Sequence, residues 1–433
     1  MTFYGGLLLT LAFMVILARR LSLATRTGNA VGFILNPTLY LLVIGYFYMV
    51  VGSMTAEAGQ QTMGFSFRAE ASDTASLLCY YYFFIFLLAY ALNKDRFLKL
   101  RPIELGVIGN IAGMSLLFVV PFSYFILATY GPGLAALQDN RYSAMTYYID
   151  NFLRAGFYGQ LYCIGLLASL LFIFKHQKRL WGLLLFVVVA FPFVAADFLQ
   201  NGRGTITSIF LCFYLLITLR TGKIYVMPIV IFVLLLVAFG IFYRLDYANS
   251  SIGDFLLFSS SEFFLTRSSL DLIIDAQPNT PFFDLISSCL TKVLPGAIRD
   301  FFDLTYVSYT DYVKRTMSLS FGLAGNIAAE SYFFGGMTFS LISPLIIASF
   351  YTLVYRWQAF KSLPGFILAI YIILSTQNMV RTSFYENMAL LLGLFLILFS
   401  YLLIFGRRIW ILREYDPRHP DPEPAYNEQS PKT

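Results

Sequence analysis

Charge is scarce in this chain. Asp, Glu, Lys and Arg make up 12% of its 433 residues, where a soluble globular domain carries about 25%. That excludes a water-soluble enzyme, a nucleic-acid-binding domain and a disordered protein, each of which needs a charged surface or a charged chain. Histidine is rarer still, with only His176 and His419. Both fall in basic or polar connections, which leaves no histidine base and no His-ligated metal for any other part of the molecule. Of the four cysteines, Cys79, Cys163 and Cys212 lie in apolar runs and only Cys289 lies in a connection. No C-x-x-C occurs, so neither a disulfide framework nor a zinc site is expected. There is no G-x-x-x-x-G-K-[ST] phosphate loop, no Asp-x-Asp pair to hold a metal diphosphate, and no internal repeat.

What is present in excess is apolar: 58% of residues are hydrophobic and 18% aromatic, and the mean hydropathy is +0.70. Apolar windows of about 17–25 residues are long enough to cross a bilayer. They predict an all-α polytopic membrane protein of about eleven spans, near 3–18, 31–53, 74–93, 103–129, 156–174, 180–198, 205–219, 224–243, 323–355, 363–378 and 388–405. The 323–355 stretch is over-long, so it is tilted or starts late. The first run has its basic residues after it (Arg19, Arg20) and reads as a span rather than a cleaved leader. Residues 1–405 form a single membrane domain, followed by a Pro-rich, cytoplasmic and disordered tail, 406–433.

Lys and Arg are retained on the cytoplasmic side. The connections around Arg19–Arg26, Lys94–Arg101, Lys175–Arg179, Arg220–Lys223 and Arg356–Lys361, together with the tail from Arg407, hold most of the basic residues. The alternate connections hold most of the acids. This charge bias and the odd span count agree on an external N-terminus and a cytoplasmic C-terminus. Cytoplasmic connections are short, whereas the external side has residues 54–73, 130–155 and one long segment, 244–322. Loops above about 15 residues are usually functional or disordered, and this one is rich in apolar residues. Its stretch FFDLISSCLTKVLPGAIRDFF (282–302) repeats Phe282, Leu285, Ile286, Leu290 and Val293 at helical spacing. The pattern predicts interfacial helices on the outer leaflet, broken at Pro295–Gly296.

This asymmetry places any chemistry on the external face, where nucleoside triphosphates are not expected, so the driving force must arrive in the substrate. A membrane-anchored pyrophosphate sugar meets that need. Its site requires fixed cations, a carboxylate for the acceptor hydroxyl, and sugar-binding surfaces. Arg203 stands between Gly202 and Gly204 where a turn opens the seventh span, a place for backbone amides and a helix N-terminus to meet an anion. Arg244 closes the eighth span, and Arg381 lies in the last external turn, QNMVRTSFYEN (377–387). Arginine suits phosphate oxygens through its planar fork; the alternative is snorkelling to headgroups. Among acids, Glu330 sits in FGLAGNIAAESYFFGGMTF (321–339), where a lone carboxylate costs free energy unless it is paired or faces a polar cavity. It serves either proton transfer or a salt bridge. Asp197, at the end of the sixth span, is the second acid, with Arg203 as its structural partner. Arg267, Asp271 and Asp275 stand at the spacing of helix-surface ion pairs and read as structural. The Tyr80–Phe84 run reads as packing or an interfacial belt more readily than as a sugar platform. Asn249-Ser250-Ser251 matches a glycosylation sequon of little specificity. Pro37, Pro121, Pro192 and Pro228 fall inside spans, as tolerated kinks or as hinges.

These residues, in this order, resemble the Wzy-type oligosaccharide repeat-unit polymerases of bacterial O-antigen, capsule and enterobacterial common antigen synthesis. The resemblance rests on NGRG (201–204) opening a span, VLPGAIRDFF (293–302) in the long loop, AESYFFGG (329–336), and more loosely the turn around Arg381. It covers about 195–390; the first five spans match in hydropathy only. It implies a metal-independent glycosyltransferase of the bacterial inner membrane that needs no cofactor. Its substrates would be undecaprenyl-pyrophosphate-linked oligosaccharides, polymerised on the external face, with a chain-length regulator as a further partner. Arg203 and Arg381 would then bind pyrophosphate and Glu330 would position or deprotonate the acceptor. The related polysaccharide ligases resemble this layout but look to a histidine in the long loop, and 244–322 contains none. A flippase or transporter of lipid-linked oligosaccharide is the other alternative, although such proteins show internal repeats and balanced loops.

Overall fold

A computed structural model describes residues 2–56, 72–100, 105–137, 141–148, 151–152, 165–167, 169–170, 179–199, 204–231, 234, 252–278, 280–294, 296–317, 325–357, 361–385, 387–388, 391, 410 and 412–414. The first apolar run forms α1 (Thr2–Arg26). The window read as one span at 31–53 is divided in two, α2 (Ala30–Ile34) and α3 (Pro37–Ala56). Pro37 causes the division: it has no N–H to continue a helix but suits the first helical position, and the Asn36 side chain caps the new start by accepting from Thr38 N at 3.1 Å. Thus Pro37 begins a helix and does not hinge one. Within α3, Tyr46–Val51 is π-helical.

Next come α4 (Asp73–Leu92), the short strand β1 (Leu98–Leu100), α5 (Leu105–Ala136) and α6 (Arg141–Tyr148). α5 continues through Pro121 and Pro132 past the expected end at 129. α7 (Arg179–Leu199) and α8 (Gly204–Thr221) follow. The long segment contributes α9 (Ile252–Ala276), α10 (Phe282–Val293), α11 (Gly296–Phe301) and α12 (Tyr309–Met317). α13 (Ile327–Arg356), α14 (Leu363–Arg381) and β2 (Leu412–Glu414) complete the named elements.

Six of these helices, among the described residues, are long and apolar enough to cross a membrane: Phe3–Arg26, Pro37–Ala56, Asp73–Leu92, Leu117–Ala136, Leu180–Leu199 and Ile327–Arg356. The expected spans at 156–174, 224–243 and 388–405 lie largely outside the described residues. Burial also fits an apolar solvent. Leu7, Leu8, Leu11, Met14 and Val15 are exposed along α1, as are Leu180, Trp181, Leu184 and Phe191 along α7. Arg267, Asp271, Asn326 and Glu330 are buried. Large exposed apolar faces around a polar interior belong to a membrane protein.

α3 sits at the centre, packed by α4, α9, α13 and α14. At one end of the bundle the basic connections meet. Arg20 pairs with Asp95 at 2.8 Å and donates to the carbonyl oxygen of Asn93 at 2.7 Å. Lys361 and Arg96 both reach Glu414, at 2.9 and 3.2 Å. Strands β1 and β2 pair antiparallel in the register Leu98↔Glu414 to Leu100↔Leu412. Of the segment 406–433 only residues 410 and 412–414 are described, and the Pro-rich stretch expected to be disordered lies outside the described residues. Gly32 is required here, because a Cβ on it would lie 1.9 Å from the Arg96 carbonyl oxygen. The Gly32 oxygen also accepts from Tyr355 Oη at 2.9 Å. Gly32→Ala is expected to cost about 1–3 kcal/mol through forced backbone displacement, read as a lowered melting temperature in detergent. Gly5→Ala is the control, since its methyl would meet the Tyr80 ring at an ordinary 3.6 Å.

Candidate functional site

The opposite end of the bundle holds the buried Glu330, Arg267 and Asp271. α4 runs 20 residues from Asp73, about 30 Å at 1.5 Å per residue, so its start is a bilayer's thickness from the charged base. Ser72 caps α4, its Oγ accepting from Ala75 N at 3.1 Å. Ser76, Cys79 and Tyr82 follow at intervals that keep them near one face. All three are buried.

Glu330 lies in the first turn of α13 and is 0% exposed. Asn326 starts that helix, its Oδ1 accepting from Ala328 N at 2.8 Å, and its Nδ2 donates to Cys79 Sγ at 3.8 Å. The Glu330 carboxylate accepts from Ser383 Oγ and, at 2.8 Å, from the backbone N–H of Phe384. Both donors belong to the turn that follows α14, whose last helical residue is Arg381. Asn387 Nδ2 in turn donates to the Ser383 carbonyl oxygen. A carboxylate fixed by two donors at a helix start is positioned, and it brings the 381–385 turn against α13.

The next residue, Ser331, has its Oγ 2.7 Å from Ser343 Oγ, which lies 2.8 Å from the Tyr385 phenol oxygen. This hydroxyl chain spans a break in α13. Gly335 and Gly336 leave helical geometry there, and Gly336 adopts φ 59°, ψ −155°, a region open essentially to glycine alone. The predicted 323–355 stretch starts late, at Ile327, and is not one continuous helix. It is two helical pieces joined at a diglycine.

A second buried centre lies between α9 and the start of α4. Arg267 is 0% exposed. It pairs with Asp271 one turn on and donates to the Ser72 carbonyl oxygen and to Ser76 Oγ, each at 2.7 Å. Asp271 accepts from Ser72 N at 2.9 Å. The spacing predicts a surface pair; the structure shows a buried one, while Asp275 is exposed.

The long segment covers the Glu330 end. Tyr309, fully buried in α12, donates to the Thr382 carbonyl oxygen. In α10, Cys289 Sγ donates to the Tyr385 carbonyl oxygen at 3.5 Å. The helix faces its polar side inward: Ser287 Oγ donates to the Thr305 carbonyl oxygen at 2.8 Å and Ser288 Oγ to that of Val307 at 3.0 Å. Phe282, Phe283, Ile286 and Leu290 face outward. The expected break falls at Leu294, the C-cap of α10. Outside, Phe282 packs edge-on against Phe339 at 4.9 Å, and Phe339 lies 5.5 Å from the Tyr385 ring.

Of the sequence candidates, Glu330 and the Arg381 turn meet. Arg381 is half-buried two residues before Ser383. Asp197 is buried near the C-terminal end of α7, whose principal neighbours are α5 and α8. Arg203 and Arg244 lie outside the described residues. Tyr80, Tyr82 and Phe83 are buried in helix packing, and Tyr81 Oη donates to the Leu341 carbonyl oxygen at 2.9 Å. Comparison with known proteins gives no match: no protein-family model, curated protein or solved structure corresponds to this chain.

Proposed function

We propose that this chain is a bacterial inner-membrane glycosyltransferase of about eleven spans, external N-terminus and cytoplasmic C-terminus. It polymerises undecaprenyl-pyrophosphate-linked oligosaccharide repeat units on the external face. One observation carries the reading: a fully buried carboxylate, Glu330, is held by the turn that follows Arg381, beneath helices of the one long connection. That arrangement joins an acid, a cation-bearing turn and a covering segment, the parts such a transfer needs. The acceptor hydroxyl attacks the anomeric carbon of the donor glycan, the bond to the pyrophosphate oxygen breaks, and Glu330 takes the hydroxyl proton. Arginines near the pyrophosphate stabilise the leaving charge, the largest contribution in reactions of this kind. Arg203, Arg244 and Arg381 are assigned that role, with Asp197 as an auxiliary acid.

The test is purified protein in nanodiscs with an undecaprenyl-pyrophosphate-linked repeat unit. Chain growth with release of undecaprenyl pyrophosphate, without added nucleotide or metal, supports the proposal. The break at Gly335–Gly336 favours a second reading, since interrupted helices line transport sites. Movement of the lipid-linked sugar between leaflets, with no new glycosidic bond, would establish that reading instead.

A further inference from the structure

The charged base of the bundle carries a crevice that the proposed transferase reaction does not use. It has a volume of about 470 Å³ and lies between the last turns of α13 and the first turns of α14, closed by Met388 and Leu391. Its walls are Phe350, Leu353, Val354, Leu368 and Ile372, and its mouth is Arg356 and Trp357. Along α13 the lining runs from Phe350 to Trp357, seven residues, about 10 Å at 1.5 Å per residue. The crevice therefore runs from a helix end well into the apolar layer. Leu353 and Trp357 are exposed beside it, and tryptophan at a helix end marks the headgroup level.

Charge supplies the remaining specificity. Arg356 Nε donates to Asn93 Oδ1 at 3.2 Å, which holds the guanidinium at the mouth. Its two terminal nitrogens take no protein partner among the described residues. The Arg356 backbone oxygen accepts from Arg96, and Lys361 and Arg20 stand at the same end. Among the described residues the acids that pair with these cations are Asp95 and Glu414, so the described surroundings are net positive. Basic pockets between membrane helices bind anionic lipid headgroups.

We propose that this crevice binds an anionic glycerophospholipid, with one acyl chain between α13 and α14 and its phosphate on Arg356. The proposal depends neither on the transferase reading nor on which side of the membrane this end faces. The experiment uses full-length protein released from nanodiscs of equimolar phosphatidylglycerol and phosphatidylethanolamine, with retained lipid read by native mass spectrometry. Wild type is expected to retain phosphatidylglycerol at least about fivefold over phosphatidylethanolamine. Arg356→Gln should abolish the preference and Arg356→Lys should keep part of it. Val354→Trp, which fills the crevice, should lower retention of both lipids. An unchanged preference in Arg356→Gln overturns the headgroup assignment, and unchanged retention in Val354→Trp overturns the tail assignment. Inorganic phosphate is the remaining arm: if millimolar phosphate displaces the lipid, the site is a phosphate site and the lipid proposal falls. Each variant is compared at an unchanged melting temperature, and if Arg356→Gln melts early, the Lys variant and Val354→Trp decide.

Discussion

Asp271→Asn is expected to lower the stability of the folded chain by about 3–5 kcal/mol, the usual cost of leaving one member of a buried ion pair without its partner. Arg267 has no exposed surface onto which its charge can relax. Its remaining bonds, to the Ser72 carbonyl oxygen and Ser76 Oγ, are neutral. Asn keeps the shape and can still accept from Ser72 N, so the loss reports the carboxylate charge. The double variant Arg267→Met/Asp271→Leu should recover most of the loss, because desolvation of both charges disappears with them. The measurement is the unfolding midpoint in a mild detergent for wild type, Asp271→Asn and the double variant. Equal midpoints for Asp271→Asn and wild type would mean that water or lipid headgroups reach Arg267. The consequence extends beyond stability: the pair ties α9, a helix of the long segment, to the start of α4. A chain that loses it should show faster proteolysis in 244–322 even where the bundle survives.

That pair also shows how far the amino-acid order discloses the architecture. An Arg and an Asp four apart look alike on a wet helix face and in a dry interior, because the i,i+4 spacing reports only that both share one side. The distinguishing signal was the neighbourhood: TRSSLDLII offers only small hydroxyls and aliphatic residues around the charge, a poor surface for a solvated arginine. Glu330 was readable for the same reason, standing alone between small and aromatic residues. Its partner turn was partly readable through Arg381, while Ser383 and the Phe384 N–H were not, since a backbone donor leaves no trace in residue type. The break in α13 was written as Gly335–Gly336, yet hydropathy averages over two glycines and returns one long span. The β1–β2 pairing had no local signal: three-residue strands more than 300 positions apart are too short for alternation to register. The apolar helices themselves were legible because a bilayer selects composition over lengths of about 20 residues.

The largest effect on activity is expected from Glu330→Gln. Under the proposed reaction the carboxylate receives a proton as the glycosidic bond forms, and groups in that role contribute about 10²–10⁴-fold. Chain growth should therefore fall by at least about 100-fold while the melting temperature holds. Gln has the same size, and its carbonyl oxygen can still accept from Phe384 N or Ser383 Oγ. Its amide can donate to neighbouring oxygens. Ser383→Ala separates positioning from chemistry. It removes the Ser383 Oγ donor to the carboxylate, an interaction worth about 1.5–3 kcal/mol when one partner is charged, and should slow growth by roughly 10–100-fold. The pH dependence of the remaining activity tells the two apart. Ser383→Ala keeps the ionisable group and so keeps the acid limb of the rate profile, whereas Glu330→Gln abolishes that limb with the group itself. A full-length polymer ladder from Glu330→Gln at wild-type rate would remove this residue from the reaction. Early melting of Glu330→Gln, with Glu330→Asp folded and active, would make the carboxylate a clamp that fastens the 381–385 turn to α13.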